Sequence, residues 1–231
     1  MILIKPEFNP KAIRSFVIRA GRMTEGQKTA FDNWWPAYGV SLFAGEFNSA
    51  AQFNNTHPLV VEMGFGMGDS LHEMVLASPH TNFVGIEVHP PGVGRLINNA
   101  GKSAVKNLKV YMADATDVLR DCFADNSIDR FQLFFPDPWH KKKHHKRRVV
   151  QIEFLQLVQK KLRQGGVLHM ATDWQPYAEH MLDTVNQSSG WRNLGEANGF
   201  TPRPDYRPIT KFEKRGENLG HGVWDLLMAK N

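Results

Sequence analysis

Short apolar runs recur along the chain at residues 59–63, 83–88, 108–112, 131–135 and 167–171, with amphipathic stretches between them. Continuous apolar runs of four to eight residues, alternating with helical patterns, predict βαβ units around a buried parallel sheet. A further apolar run at 224–229 predicts a last strand. The clearest predicted helix covers 149–162, where Val150, Phe154, Leu157 and Val158 share one face and Gly165-Gly166 is expected to stop it. Before residue 56 the texture differs. Arg14, Arg19 and Arg22 surround Phe16, Val17 and Ile18, and Gly21 and Gly26 interrupt the pattern. This predicts a basic N-terminal extension over 1–55, with a helical segment near 27–38, ahead of a single α/β domain over 56–231. Residues 201–222, rich in Pro, Gly and charge, read as a long irregular segment, and such loops in compact domains commonly carry function. No internal repeat is present.

Composition narrows the class. With 231 residues, 42% of them hydrophobic, the chain can bury one substantial core. Its only cysteine, Cys122, excludes an internal disulfide, fits a reducing compartment and reads as a small apolar filler. No Cys/His spacing suggests a metal site. The opening MILIKPEFNP has too short an apolar run for a signal peptide, and no apolar stretch approaches membrane-spanning length. A soluble, cytoplasmic protein with no membrane partner is expected. Net charge is +5 and the pI about 9.3, which favours an anionic partner.

The first apolar run leads into chemistry. Residues 60–69, VVEMGFGMGD, read as a strand, a glycine-rich turn and a helix starting near Asp69-Ser70. Gly64, Gly66 and Gly68 permit positive φ and close approach of a ligand to the backbone. Open α/β sheets bind nucleotides at this position. The G-x-G-x-G spacing lacks the third glycine of the dinucleotide pattern, and taken alone it is also compatible with a structural bend. Glu62, just before the turn, repels a pyrophosphate but attracts an ammonium or sulfonium. Glu87 ends the next strand, the usual place for a carboxylate gripping ribose hydroxyls. Asp114 ends the third strand, within reach of an adenine edge, and Asp137 ends the fourth. Four acids at four successive strand ends suit a nucleoside with a cationic tail and no phosphates, which describes S-adenosylmethionine.

The fourth strand run opens directly onto Pro136-Asp137-Pro138-Trp139 and then a dense basic segment. Lys141, Lys142, Lys143, Lys146, Arg147 and Arg148 place six cations in eight positions, with His144 and His145 among them. Such a cluster repels itself, so an anionic partner, a nucleic acid, is favoured over a solvated face. His144 and His145 lack a spaced third ligand and read as facing that partner or exposed. Flanking prolines suit Asp137 to presentation on a rigid turn, although capping is a common use of Asp. Trp139 is equally suited to stacking on a base and to packing under the loop. Trp34 and Trp35 read as core or interface residues.

Glu62-Met63-Gly64-Phe65-Gly66-Met67-Gly68, the Pro136-Asp137-Pro138-Trp139 block with its basic run, and Thr210-Lys211-Phe212-Glu213 together resemble the bacterial tRNA (guanine-N7-)-methyltransferases. Arg14-Ser15-Phe16-Val17 and Gly21-Arg22-Met23-Thr24 resemble that family's N-terminal segment, so the likeness spans nearly the whole chain. One departure is His140, where the family usually has proline. The resemblance implies a Rossmann-like class I methyltransferase fold: a mostly parallel seven-stranded sheet with an antiparallel last strand and helices on both faces. It implies S-adenosylmethionine as methyl donor and the variable-loop guanosine of tRNA as acceptor. Carried over by position, Glu62, Glu87, Asp114 and Asp137 bind cofactor, with Asp137 also the active-site residue. Lys141, Asp173, Thr210, Lys211, Phe212 and Glu213 bind substrate, and Lys143, His144, His145, Lys146, Arg147 and Arg148 contact RNA. No metal is implied, and monomer and homodimer stay equally open. Three competing classes are weaker. A class I methyltransferase for another substrate has no need of the basic run, and an oxidoreductase conflicts with Glu62 and the glycine spacing. A non-catalytic RNA-binding protein leaves the ordered acids unexplained.

Overall fold

The computed structural model describes residues 22–210, 213 and 222–231; the N-terminal arm expected before residue 22 lies outside them. The described chain forms two compact units, one ending at Ala124 and one starting at Asp125.

In chain order the first unit contains helix α1 (Glu25–Tyr38), strand β1 (Gly39–Val40), α2 (Ser49–Phe53), β2 (Leu59–Met63), α3 (Asp69–Ala77), β3 (Asn82–Ile86), α4 (Pro90–Lys102), β4 (Leu108–Tyr111) and α5 (Ala115–Cys122). Its four strands are parallel in the order β1-β4-β3-β2. All five residues of β3 are buried, and so are Leu59, Val60, Val61 and Glu62 of β2. Burial on both faces is why these strands read as continuous apolar runs. Pairing of Met63 with Ile86, and of Ile86 with Tyr111, brings the carboxyl ends of β2, β3 and β4 to one level.

Helix α1 starts with a reciprocal cap. The Thr24 hydroxyl accepts from the Gln27 N–H, and the Gln27 side chain accepts from the Thr24 N–H. At its far end the Tyr38 hydroxyl lies 3.0 Å from the Ala100 carbonyl and 2.9 Å from that of Val105. From residue 22 on, the stretch before residue 56 is therefore built into the first unit. Two glycines bring helix and neighbour together: the Trp34 ring covers Gly101 of α4, and the Trp35 ring covers Gly39. Both tryptophans serve packing.

The second unit contains β5 (Ile128–Phe134), α6 (Ile152–Lys161), β6 (Leu162–Thr172), α7 (Gln175–Asn186), β7 (Trp191–Asn193) and β8 (Trp224–Lys230). β5 and β6 are parallel, and β8 is antiparallel to β6, the reversal expected for the last strand. β7 pairs antiparallel with β8 at the edge. The described residues hold eight strands against the seven expected; β1 and β7, only two and three residues long, are too short to leave a pattern.

One boundary differs from the sequence reading. Helix α6 ends at Lys161 and β6 begins at once at Leu162, so Gly165-Gly166 does not stop the helix. The pair lies inside β6, where the register with β5 jumps between Ile128↔Leu162 and Arg130↔Val167. Gly165 takes φ +71°, and a Cβ on Gly166 would strike the carbonyls of Arg163, Ile128 and Asp129. The glycines permit a bulge.

Gly101→Ala drives a methyl group into the Trp34 ring and is expected to cost about 1–3 kcal/mol in thermal unfolding. Gly26→Ala, where an added methyl group meets nothing within 4 Å, is expected to be neutral or stabilising.

Candidate active site

The turn after β2 holds three glycines at positive φ: Gly64 at +75°, Gly66 at +58° and Gly68 at +76°. They serve different purposes. A Cβ on Gly68 would lie 2.8 Å from Leu96 Cβ, so this glycine lets α4 pack against the turn. At Gly64 and Gly66 nothing lies within 4 Å of the Cβ position. That open space beside bare backbone is a cradle in which a ligand can lie close to the chain. Glu87 is tied to the same turn. Its Oε2 accepts the Gly66 N–H at 2.9 Å, and its Oε1 accepts the N–H groups of Val88 at 2.7 Å and His89 at 3.0 Å. Burial pushes its carboxyl up, against the pull of those three N–H groups. Of about four acceptor positions on a carboxylate, three are filled, leaving room for one ligand hydroxyl. Glu62, 3% exposed, ends the buried part of β2. Asp114, 5% exposed, caps α5, its Oδ1 accepting the Thr116 N–H at 2.9 Å.

In the second unit, β5 runs into the turn that carries Asp137. Phe135 (φ +49°) and Trp139 (φ +48°), neither of them glycine, bracket Pro136-Asp137-Pro138 in the left-handed region. Backbone held this way persists only where the surroundings enforce it, and it clusters at functional sites. Asp137 is exposed. The basic run continues as a short 3₁₀ turn, Lys142–Arg147. Lys141, Lys142, Lys143 and Lys146 are exposed; His144, His145 and Arg147 are half-buried. The Arg147 guanidinium lies 5.0 Å above the Trp139 ring and the His144 ring 5.8 Å from it, so Trp139 packs beneath the loop. Burial, and then the cations around it, Arg147 first, hold His144 below the usual histidine range. His140 sets its ring edge-on to that of Trp174, with the centroids 4.4 Å apart. Asp173, half-buried, follows the end of β6.

Arg148 does not share the surface of its basic neighbours. It is 5% exposed, with its Nε donating to the Pro138 carbonyl at 2.9 Å and a terminal nitrogen 3.2 Å from His145 Nε2.

The segment expected to bind substrate is anchored from beneath. Thr210 and Glu213 form a reciprocal cap: the Glu213 N–H donates to the Thr210 hydroxyl, and the Thr210 N–H to Glu213 Oε2. Lys211 and Phe212 lie outside the described residues. Both Glu213 oxygens also accept from Arg207, at 2.7 and 2.9 Å. Arg207, 0% exposed, donates as well to both oxygens of Asp225 on β8, at 2.7 and 2.8 Å. Asp225 Oδ1 lies 2.7 Å from Nε2 of the buried His169 on β6, which makes Nε2 the protonated nitrogen. Nδ1 then accepts from the Tyr206 hydroxyl at 2.9 Å. Arg130 stacks over the Tyr206 ring at 3.8 Å. Burial opposes the charge on Arg207, but the bonds to Glu213 and Asp225 outweigh it and raise its pKa. Burial likewise pushes Asp225 up, while hydrogen bonds from His169 and Arg207 hold it below the usual carboxylate range.

Sequence reasoning singled out Thr210 and Glu213 and missed Arg207, Asp225, His169, Tyr206 and Arg130. His169 and Asp225 carried a usable signal, since both interrupt apolar strand runs. Arg207 carried none. Among the described residues, no helix is long and apolar enough to cross a membrane. No group of three His, Cys, Asp or Glu side chains is placed to hold a metal ion among them.

Comparisons with known proteins place this architecture. The chain resembles the 16S rRNA methyltransferase KamB (14% identity, 83% of this chain and 98% of that one, TM-score 0.54). It also resembles a 16S rRNA (adenine(1408)-N(1))-methyltransferase from Catenulisporales acidiphilia, solved with its cosubstrate SAM (15% identity, 79% of this chain and 89% of that one, TM-score 0.54). A methyltransferase family model, Methyltransf_4, matches residues 56–226. The fold and the glycine turn thus define a class I methyltransferase. A tRNA (guanine-N(7)-)-methyltransferase of Saccharophagus degradans is 62% identical over 228 residues, 99% of this chain and 100% of that protein. One from Pseudomonas aeruginosa is 56% identical over 216 residues, 94% of this chain and 88% of its own length. The chain belongs to the tRNA (guanine-N(7)-)-methyltransferase family.

Burial holds His169 below the usual histidine range, against the pull of Asp225 and with Arg207 and Arg130 adding to the push. The unfolded chain's histidine takes up its proton near pH 6.5, before the folded one does. Stability is therefore expected to fall as pH drops below about 6.5 and to be level above it. His169→Gln is expected to lose less melting temperature between pH 7.5 and 5.5 than the parent; an equal loss counts against this assignment.

Proposed function

We infer that this protein transfers a methyl group from S-adenosylmethionine to N7 of the variable-loop guanosine of tRNA, giving 7-methylguanosine, in the cytoplasm. The strongest support is 62% identity to a named tRNA (guanine-N(7)-)-methyltransferase across 99% of the chain. S-adenosylmethionine supplies, when bound, a methyl group on a cationic sulfur. The residues of the first unit fit that molecule. Gly64 and Gly66 leave the backbone open to it, and Glu87 keeps one acceptor position for a ribose hydroxyl. Glu62 suits the cationic tail, and Asp114 the adenine edge, while still capping α5.

The second unit's residues suit the RNA. Lys143, Lys146 and Arg147, with His144 and His145, take phosphates of the tRNA. Arg148, 5% exposed, does not reach the surface with them. Lys141, Asp173 and the 210–213 segment take the guanosine. Guanine N7 has an in-plane lone pair and no proton, so no general base is required. What the enzyme must supply is alignment, which alone can lower a barrier by several kcal/mol, and a fixed negative charge for a purine that becomes cationic. Asp137 supplies that charge. Carboxylates of Asp137 and Asp173 suit guanine N1–H and the 2-amino group, neither of which adenine has. Glu213 is bound to Arg207 through both of its oxygens, so its role is to hold the segment.

Labelled S-adenosylmethionine, offered with an unmodified tRNA transcript, is expected to label it. A matched transcript with 7-deazaguanosine at the variable-loop position is expected to stay unlabelled. Equal label in both would mean another target atom, and no label in either would mean another substrate.

A further inference from the structure

We propose that Arg148 is a positioning residue for methyl transfer, holding the Asp137 turn rather than contacting tRNA. The inference rests on the reading of Asp137 given above. The turn needs such a device: Phe135 and Trp139 bracket it at φ +49° and +48°, a conformation side chains resist. The Phe135 N–H is fixed by the Ala171 carbonyl at 2.8 Å, the last rung onto β6. On the other side, the Pro138 carbonyl, one residue past Asp137, accepts from Arg148 Nε at 2.9 Å.

Arg148 is itself held on every side. Its guanidinium lies 4.9 Å over the ring of Tyr177, a buried residue of α7. Its backbone N–H donates to the His145 carbonyl at 2.9 Å, and its own carbonyl accepts from Gln151 at 3.2 Å. His180, also on α7, is 3.0 Å from the Val150 carbonyl. The planar guanidinium is the group this place requires: it can stack on a ring while one edge donates to a carbonyl. A lysine ammonium carries the same charge but cannot do both. A phosphate contact predicts the reverse, that charge alone matters and that the side chain reaches water. Arg148 is buried, whereas Lys143 and Lys146 are exposed.

The test compares Arg148→Lys, Arg147→Gln and Asp137→Asn in the full-length protein, reading kcat, KM for tRNA and the salt dependence of tRNA binding. Arg148→Lys is expected to lower kcat roughly 10- to 100-fold with KM within about twofold. Its salt slope should equal the parent's, while Arg147→Gln should lose about 0.7–0.9 of slope for one phosphate contact. Parental kcat in Arg148→Lys, or a slope reduced as in Arg147→Gln, would overturn the proposal. If Asp137→Asn also turns over normally, the reading of Asp137 fails with it; if Asp137→Asn is slow while Arg148→Lys is normal, only this inference fails. Should Arg148→Lys not fold, the ring beneath it decides. Tyr177→Leu should lower kcat and Tyr177→Phe restore it, and normal kcat in Tyr177→Leu would overturn the proposal.

Discussion

Thr210 and the glycine turn each depend on a carboxylate that cannot relax. Two arrangements impose that rigidity. Arg207 carries a full charge into a fully buried position and donates two bonds each to Glu213 and Asp225. Burying a guanidinium is costly, and removing one partner of such a group commonly costs about 3–5 kcal/mol, so the three side chains are fixed together. Through Asp225 the network joins β8 to His169 of β6, and through Glu213 it holds Thr210. Glu87, in the first unit, is fixed by three backbone N–H groups. None of the three carboxylates, Glu213, Asp225 and Glu87, needs a ligand to find its place.

The two units contribute different physics. In the first, shape dominates: bare backbone at Gly64 and Gly66, a glycine contact at Gly68 that brings α4 close, and acids at three strand ends. In the second, charge dominates: a run of exposed cations beside a turn that presents one exposed acid. Within that run, identical chemistry divides by burial. Lys143 and Lys146 face water, Arg147 covers Trp139, and Arg148 serves the turn's own backbone.

Much of this was legible in the chain because the strands of a parallel sheet are buried on both faces and leave unbroken apolar runs. The acids were legible because a charge immediately after such a run falls at a strand end. Gly165-Gly166 was misread because a helix stop and a strand bulge demand the same conformational freedom, and only the pairing of β6 with β5 separates them. β1 and β7 are too short to show a period. Arg148 could not be told from Arg147, nor Arg207 from any loop arginine, because burial belongs to the tertiary structure. The carboxylate of Glu213 was found through its motif, while the guanidinium that engages it was not.

The most direct test of the account measures S-adenosylmethionine affinity and single-turnover methyl transfer in Asp137→Asn and Gly66→Ala. Asp137→Asn is expected to keep cofactor affinity near the parent's and to lose most of the transfer rate. Gly66→Ala, filling the open cradle at positive φ, is expected to lose affinity first. Near-normal transfer in Asp137→Asn, or equal loss of affinity in both, would contradict the division of roles described here.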